Sequence, residues 1–181
     1  MARVPYRRPD ELDEPYSDLV VSSLQPGKTV NVYSSIANNP PVLEGLRAFL
    51  GSLWNDSGLT DRQRELVILA AAAETGVAYE WHQHVGIARE AGLSNAEMTA
   101  IAEDHPDPFP TTEVVLMEYA RAVVGGAVTD DLHETMAEAF DDDAIVGAAA
   151  TAAGYMGLGR IIDALGVDVE AGDEFVGWQV E

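Results

Sequence analysis

The segment that decides the fold runs over residues 60–92 and reads TDRQRELVILAAAAETGVAYEWHQHVGIAREAG. Thr60 opens a helix, because Gln63 follows it at the spacing of a capping box. Apolar residues then recur at helical spacing as far as Gly76, which ends this helix. Residues 77–91 continue as a second helix. The segment therefore predicts two consecutive helices with almost no loop between them, and we expect them to pack as antiparallel neighbours.

Helical patterns also occupy the chain on both sides of this segment, and no stretch shows a convincing period of two. Residues 1–15 are predicted to be an irregular arm, and Phe175 and Trp178 indicate that the C-terminal tail docks on the rest. The other predicted helices cover residues 16–24, 30–37, Asn38-Asn39-Pro40-Pro41 to about Trp54, Ser94 to about Glu103, Thr111 or Thr112 to about Val124, 130–140 and 142–165. Together these patterns predict an all-α fold with a single domain over residues 1–181.

The charge is strongly acidic, with 31 acidic against 10 basic residues, a formal net charge of −21 and Lys28 as the only lysine. This balance argues against nucleic acid and against an anionic membrane as partners, since both require clustered basic residues. The acidic residues are scattered, which is typical of a solvated, self-repelling surface. The composition resembles that of proteins from halophilic archaea; an acidic mesophilic protein is the alternative.

Cysteine is absent, so disulfides, thiolate metal sites and thiol redox chemistry are excluded. Residues 1–14 contain no apolar run of the signal-peptide type, and we expect a cytoplasmic protein. Residues 144–162 are uncharged until Arg160, but they consist mainly of alanine and glycine and follow three aspartates, Asp141 to Asp143. This pattern favours a buried helix or a subunit contact over a membrane span.

Glu65 and His84 are the candidate catalytic pair, and we expect their side chains to lie within direct or one-water hydrogen-bond reach and to line one pocket. Glu65 lies 11 residues before Gly76 and His84 lies 8 after it, so the two stand about 16 and 12 Å from the turn, an axial offset of about one helical turn. The apolar run that follows Glu65 predicts dry surroundings, in which a carboxylate and an imidazole can exchange a proton. The alternative is that Glu65 pairs with Arg62 or Arg64 at the surface and His84 fills a packing gap.

His82 and His84 cannot chelate one ion, because residues two apart on a helix point in nearly opposite directions. Glu80 and His84, four apart, share a face and could form a metal site with Glu65, although a second histidine is missing. No phosphate-binding loop or nucleophile elbow is present. His105 and His133 are predicted to be solvated.

Tyr79, Trp81 and Arg64 are the predicted substrate-binding residues. Tyr79 is a candidate hydrogen-bond donor, and Trp81 stands beside the histidine, although its stripe with Val85 and Ala88 also fits a core position. An arginine is expected to bind a substrate carboxylate. Which arginine does so is left open among Arg62, Arg64, Arg89 and Arg160.

The runs Arg64-Glu65-Leu66-Val67-Ile68-Leu69-Ala70, Tyr79-Glu80-Trp81-His82-Gln83-His84-Val85 and Ala88-Arg89-Glu90-Ala91-Gly92-Leu93-Ser94 resemble the carboxymuconolactone decarboxylase-like family. This family shares a helical fold with the alkylhydroperoxidase AhpD-like proteins. In those relatives a glutamate is followed by Cys-x-x-Cys and then by a histidine. The same register here contains Glu65, Val77, Glu80 and His84. Both thiol positions are replaced, so their thiol peroxidase reaction does not carry over.

The resemblance implies a decarboxylase-like enzyme that acts on a small organic acid or lactone without a metal or an organic cofactor. His84 would donate the proton and Glu65 would be its partner. It also implies a homo-oligomer, a trimer or a hexamer. Two alternatives remain: a non-catalytic oligomeric scaffold, and a divergent AhpD-like protein. An apolar pocket open to solvent beside Glu65 and His84 would favour the enzyme, and a filled one the scaffold.

Overall fold

The computed structural model describes residues 2–21, 28–170, 176–178 and 180. Within these ranges the protein is all-α, as predicted, with one isolated antiparallel bridge between Val21 and Thr29 as its only β-type pairing. Two short 3-10 helices, Pro9–Glu11 and Ser17–Val20, precede the α-helices. The α-helices are α1 Asn31–Ile36, α2 Pro40–Asn55, α3 Asp61–Thr75, α4 Ala78–Glu90, α5 Asn95–Ala102, α6 Thr111–Gly125, α7 Asp130–Ala139 and α8 Asp142–Leu165.

Most predicted helix boundaries lie within two residues of the observed ones, and two predictions need correction. The helix predicted over residues 16–24 is only the 3-10 turn Ser17–Val20 in its described part, and residues 22–27 lie outside the described residues. The cap of α6 is Pro110 rather than Thr111 or Thr112. The fixed φ of proline already sets the extended conformation that a cap residue needs, so Thr111 becomes the first helical residue.

Helix α3 is the central element of the fold. It begins with the predicted capping box, in which the Thr60 side chain accepts from the amide of Gln63. Residues 64–72 are all buried, because α4, α5, α6 and α8 pack around the helix. It ends at Gly76, whose φ of 71° lies in the left-handed region that favours glycine. The chain then turns directly into α4.

The apolar residues of α3 belong to two separate core clusters. Leu66, Val67 and Leu69 lie in the larger cluster, with side chains from α4 to α8. Ile68 lies in the smaller one, which joins α1, α2, the start of α4 and the C-terminal half of α8. Helix α3 therefore divides the interior, and the candidate site lies on the side of the smaller cluster.

Helix α8 is the one helix, among the described residues, that is long and apolar enough to cross a membrane by length and composition alone. Half of its apolar window is buried inside the protein. Ala148 and Ala152 join the larger core, whereas Tyr155, Leu158 and Ile162 join the smaller one. The helix is thus a core helix that links both clusters, in agreement with the prediction of a buried helix.

Candidate active site

Glu65 on α3 and His84 on α4 form a buried hydrogen-bonded pair. The distance between His84 Nδ1 and Glu65 Oε2 is 2.8 Å, and the Glu65 side chain is 0% exposed. The predicted hydrogen-bond contact is therefore confirmed, and the alternative of a surface pair between Glu65 and an arginine is wrong. When Glu65 is ionised, Nδ1 donates, which leaves Nε2 as the nitrogen that can exchange a proton. No described residue bonds to Nε2.

Arg64 contacts the Glu65 side of this pair and does not line the cavity described below. Its Nη1 donates to the Trp54 carbonyl at 3.1 Å and lies 3.0 Å from Asp61 Oδ1. Its Nε lies 3.6 Å from Glu65 Oε1, close enough for an ion pair and too long for a hydrogen bond. The guanidinium stacks on the Trp54 ring, with Cζ 3.9 Å from the centroid. Its predicted contact with substrate is not supported by this position.

A cavity of about 410 Å³ opens beside His84. Its wall includes His84, whereas Glu65 lies behind the imidazole and does not reach the cavity, so the prediction that both line one pocket holds for His84 only. Side chains from α1, α2, α4 and α8, and from the residue before α1, line it: Val30, Val32, Tyr33, Arg47, Leu50, Gly51, Trp54, Asn55, Tyr79, Glu80, Gln83, His84, Ile87, Tyr155, Leu158 and Ile162. Such a volume suits a small molecule.

Tyr155 stands against the imidazole on the cavity wall. Its ring meets the His84 ring edge-on, with the centroids 5.1 Å apart. Its hydroxyl oxygen accepts a hydrogen bond from Trp54 Nε1 at 2.9 Å. Burial raises the pKa of Tyr155 well above its usual range, against the lowering effect of the Trp54 bond. The phenol therefore stays neutral, and its own hydrogen is available to a ligand.

Tyr79 lines the cavity as predicted, but its hydroxyl is already engaged. It donates to Glu170 at 2.6 Å and accepts from the Val32 amide at 3.3 Å. Burial, and after it the charge of Glu170, raise the pKa of Tyr79. Gln83 Nε2 also donates to Glu170, at 2.5 Å. Glu170, in the segment after α8, thus fixes two lining side chains, and the Tyr79 hydroxyl is not free to donate to a ligand.

Arg47 is the lining residue that the sequence analysis missed. Its guanidinium lies over the Tyr33 ring, with Cζ 4.4 Å from the centroid, and Nη1 donates to the Val21 carbonyl at 3.3 Å. Among the residues described as lining the cavity, it is the only arginine or lysine. The sequence carried a signal: Arg47 interrupts the buried stripe of Leu43 and Leu50 at helical spacing.

The remaining predicted arginines lie away from the cavity. Arg62 joins α3 to two other helices, with Nη2 2.5 Å from Glu97 Oε1 and Nε 2.8 Å from Glu113 Oε1. Arg89 is exposed and donates to Asn95 at 2.9 Å. Arg160 is exposed beside Asp163. None of these three lines the cavity, which leaves Arg47 as the arginine placed for a substrate carboxylate.

Trp81 belongs to the core and does not line the cavity, so its predicted substrate-binding role is not supported. It is fully buried with Val85 and Ala88. Its ring contacts that of Trp178 at a tilt of 46°, with the centroids 5.1 Å apart, and its Nε1 donates to the Gly177 carbonyl at 2.7 Å. The predicted docking of the tail is confirmed at Trp178; Phe175 lies outside the described residues.

His82 does not line the cavity, in line with its predicted orientation, and His105 and His133 are exposed as predicted. Among the described residues, no three histidine, aspartate or glutamate side chains are grouped as a metal site. The suggested ligand set of Glu65, Glu80 and His84 is therefore not assembled in the described part of the chain.

Comparisons with known proteins agree with this architecture. Residues 40–105 match the model of the carboxymuconolactone decarboxylase family. The matched residues span α2 to α5. No curated protein matches the chain significantly.

Several solved structures have the same fold. One is an uncharacterised peroxidase-related protein with an alkylhydroperoxidase AhpD core from Ralstonia eutropha JMP134 (21% identity, 99% of this chain and 97% of that one, TM-score 0.84). A second is a protein of unknown function from Agrobacterium tumefaciens, provisionally named as the antioxidant defence protein AhpD (25% identity, 75% and 95%, TM-score 0.69). A third is a variant of the debrominase Bmp8 in complex with 2,3,4-tribromopyrrole (16% identity, 80% and 79%, TM-score 0.71). The chain has the AhpD-like helical fold.

Proposed function

We propose that the whole chain is a member of the carboxymuconolactone decarboxylase family, and that it catalyses proton transfer on a small organic acid or lactone, with decarboxylation as the leading reaction. One observation carries the proposal: the His84 ring forms the wall of an open cavity while its Nδ1 is bonded to the buried Glu65 carboxylate. This is the arrangement of a general acid held in one orientation by a partner.

The reaction follows from this arrangement and from Arg47. The guanidinium binds a carboxylate of the substrate and orients it. When the carbon–carbon bond to the departing carboxylate breaks, carbon dioxide leaves and the bonding electrons move into a conjugated carbonyl of the substrate. His84 Nε2 then delivers a proton to the carbanionic carbon, while Glu65 stabilises the imidazolium before transfer. The net change is a carboxylate plus a proton giving a C–H bond and carbon dioxide.

The open cavity favours this enzyme over a non-catalytic scaffold of the same fold. A scaffold has no need to keep about 410 Å³ unfilled beside a buried hydrogen-bonded pair. The absence of cysteine removes the thiol on which the AhpD-like peroxidase reaction depends. The electron sink lies in the substrate, so the scheme requires no metal or organic cofactor.

A screen for carbon dioxide release from lactones and small keto acids, run in molar salt, tests the proposal. Once a substrate is found, His84→Gln and Glu65→Gln should each lower kcat by about 100-fold or more, the usual contribution of a positioned general acid. His82→Gln is the matched control on the same helix and should change kcat little. Equal activity of the His84→Gln and wild-type proteins would refute the assignment.

A further inference from the structure

Glu80 is an acidic side chain that lines the same cavity as His84, and the Glu65–His84 pair does not involve it. It lines the cavity from α4 and is only 2% exposed. Neither of its carboxyl oxygens has a hydrogen-bond partner among the described residues. Buried polar groups are nearly always satisfied, so two unpaired oxygens on one side chain point to a missing partner.

The surroundings of Glu80 disfavour a charge on it. The Oε2 atom of Glu80 packs against the backbone of α8 at Gly159, which has no side chain. A Cβ placed on Gly159 would lie 3.4 Å from that oxygen. The ionisable neighbours are the phenols of Tyr33 on α1 and Tyr155 on α8 and the carboxylate of Asp163, also on α8. Arg47 and His84 share the cavity, but neither bonds to the carboxyl group. Burial, and after it the charge of Asp163, raise the pKa of Glu80 well above its usual range.

We propose that Glu80 is the acidic hydrogen-bond donor of this cavity, and that it binds an uncharged oxygen of a small carboxylic acid whose carboxylate is bound by Arg47. The missing partner is thus an acceptor, such as a ketone or lactone carbonyl. An anionic oxygen at this position would be repelled by the nearby charge of Asp163, whereas a neutral acceptor would not. The ligand class is therefore a keto acid or a lactone acid, with one charged and one neutral oxygen function.

This inference deepens the proposed function and rests on it for the identity of the reacting group. A donor on the carbonyl oxygen also stabilises the enolate that decarboxylation generates, because negative charge accumulates on that oxygen. Glu80 and Arg47 would hold the two ends of the ligand, and His84 would face the carbon between them. The protonated carboxyl group and the ligand preference can both be measured without turnover.

Infrared spectroscopy tests the protonation of Glu80 in the free protein. The wild-type protein at about pH 7 should show the carbonyl band of a protonated carboxylic acid, with an isotope shift in deuterated water, and Glu80→Gln should lack it. Glu90→Gln removes an exposed glutamate from the same helix and should leave the band unchanged. If the wild-type and Glu80→Gln spectra show no difference in this band, Glu80 is ionised and the proposal is overturned.

Calorimetric titration with a matched pair of probes tests the ligand class. The pair is 5-oxotetrahydrofuran-3-carboxylate, a lactone acid, and tetrahydrofuran-3-carboxylate, which has the same ring and carboxylate but no carbonyl. The wild-type protein should prefer the lactone acid by about threefold to tenfold, the usual net contribution of one neutral hydrogen bond. Glu80→Leu should abolish the preference while both probes still bind.

Arg47→Met should lower the affinity for both probes by the same factor, because both carry the carboxylate. An unchanged preference in Glu80→Leu, or no binding of either probe to the wild-type protein, would overturn the assignment of this ligand class. Preferential binding without any carbon dioxide release from the screened acids would support the role of Glu80 and count against the proposed reaction. The two failures are therefore distinguishable.

Discussion

At the scale of single residues, the Glu65–His84 pair is costly to keep in the interior. Taking a carboxylate out of water costs several kcal/mol, and a partner repays this only when the geometry is good. Here one oxygen of Glu65 bonds to His84 at 2.8 Å, while the other has only the 3.6 Å ion pair with Arg64. A pair that is only partly satisfied contributes little to stability, and the pair is better explained by chemistry than by folding.

Leucine substitutions separate the two explanations. His84→Leu leaves the buried Glu65 without its hydrogen-bonded partner and should lower the free energy of unfolding by about 3 kcal/mol. The double variant Glu65→Leu/His84→Leu removes the unpaired carboxylate and should recover at least half of that loss. Urea denaturation in molar salt provides both values. A double variant less stable than His84→Leu would show that the pair itself stabilises the fold.

At the scale of helices, α8 closely approaches the loop between α2 and α3. Gly147 makes that approach possible, because a Cβ placed there would stand 1.7 Å from the Ser57 carbonyl oxygen. No side chain fits at that distance, and the obstacle is backbone rather than a flexible side chain. The small residue is thus a packing requirement at this one crossing.

Gly147→Ala should therefore destabilise the protein, although alanine favours helices. We expect a loss of at least about 2 kcal/mol, because α8 or the loop must shift. The matched control is Gly86→Ala on α4, where a Cβ meets no atom within 4 Å. It should raise stability by about 0.5 to 1 kcal/mol through helix propensity alone. Thermal unfolding of both variants provides the comparison, and a neutral Gly147→Ala would contradict the close crossing of helix and loop.

At the scale of the whole molecule, charge and exposed apolar surface determine the conditions under which the protein is stable. The chain carries a formal net charge of −21. It also exposes Val42 at 53%, Phe49 at 44% and Val146 at 67%, on the packed helices α2 and α8. Phe49 lies directly over Gly154 of α8. Repulsion between the acidic side chains therefore opposes folding and association, whereas the exposed apolar residues favour association.

Salt should stabilise the protein strongly. Charges spread over the surface repel each other at low ionic strength, and salt above about 1 M reduces the screening length to about 3 Å. The Tm should rise by at least about 5 °C between about 0.1 M and 2 M sodium chloride, which corresponds to about 2 kcal/mol for a chain of this size. Neutralising the exposed Glu90, Glu134 and Glu138 with glutamine should flatten the dependence. A Tm independent of salt would refute the expectation.

We propose that the exposed face of α2 and α8 binds further copies of this chain in a trimer or hexamer, since apolar surface of this kind is better buried than exposed. Sedimentation in molar salt should show an oligomer for the wild-type protein and smaller species for Phe49→Glu and Val146→Glu. Val128→Glu changes an exposed valine outside these two helices and should leave the oligomer intact. A monomeric wild-type protein at high concentration would refute the proposal.

The sequence by itself determined the helical class and most helix boundaries, because capping boxes, glycine ends and helical periodicity are local properties. It also determined the Glu65–His84 contact, since the distances of both residues to Gly76 are nearly equal and only one turn intervenes. The sequence did not predict which residues line the cavity. Arg47, Tyr155 and Glu80 come from three different helices, and their meeting depends on how α2, α4 and α8 pack.

The same reason explains the wrong predictions. Trp81 and Arg64 stand close to the pair along the chain, yet the packing of α3 and α4 turns Trp81 into the core and Arg64 towards Trp54. Proximity in the sequence indicates which side chains lie on the same helix. Which face of that helix lines a cavity depends on how the neighbouring helices pack against it. Only the tertiary structure could therefore show that Arg47 is the arginine of the cavity and that Glu80 lies in it without a partner.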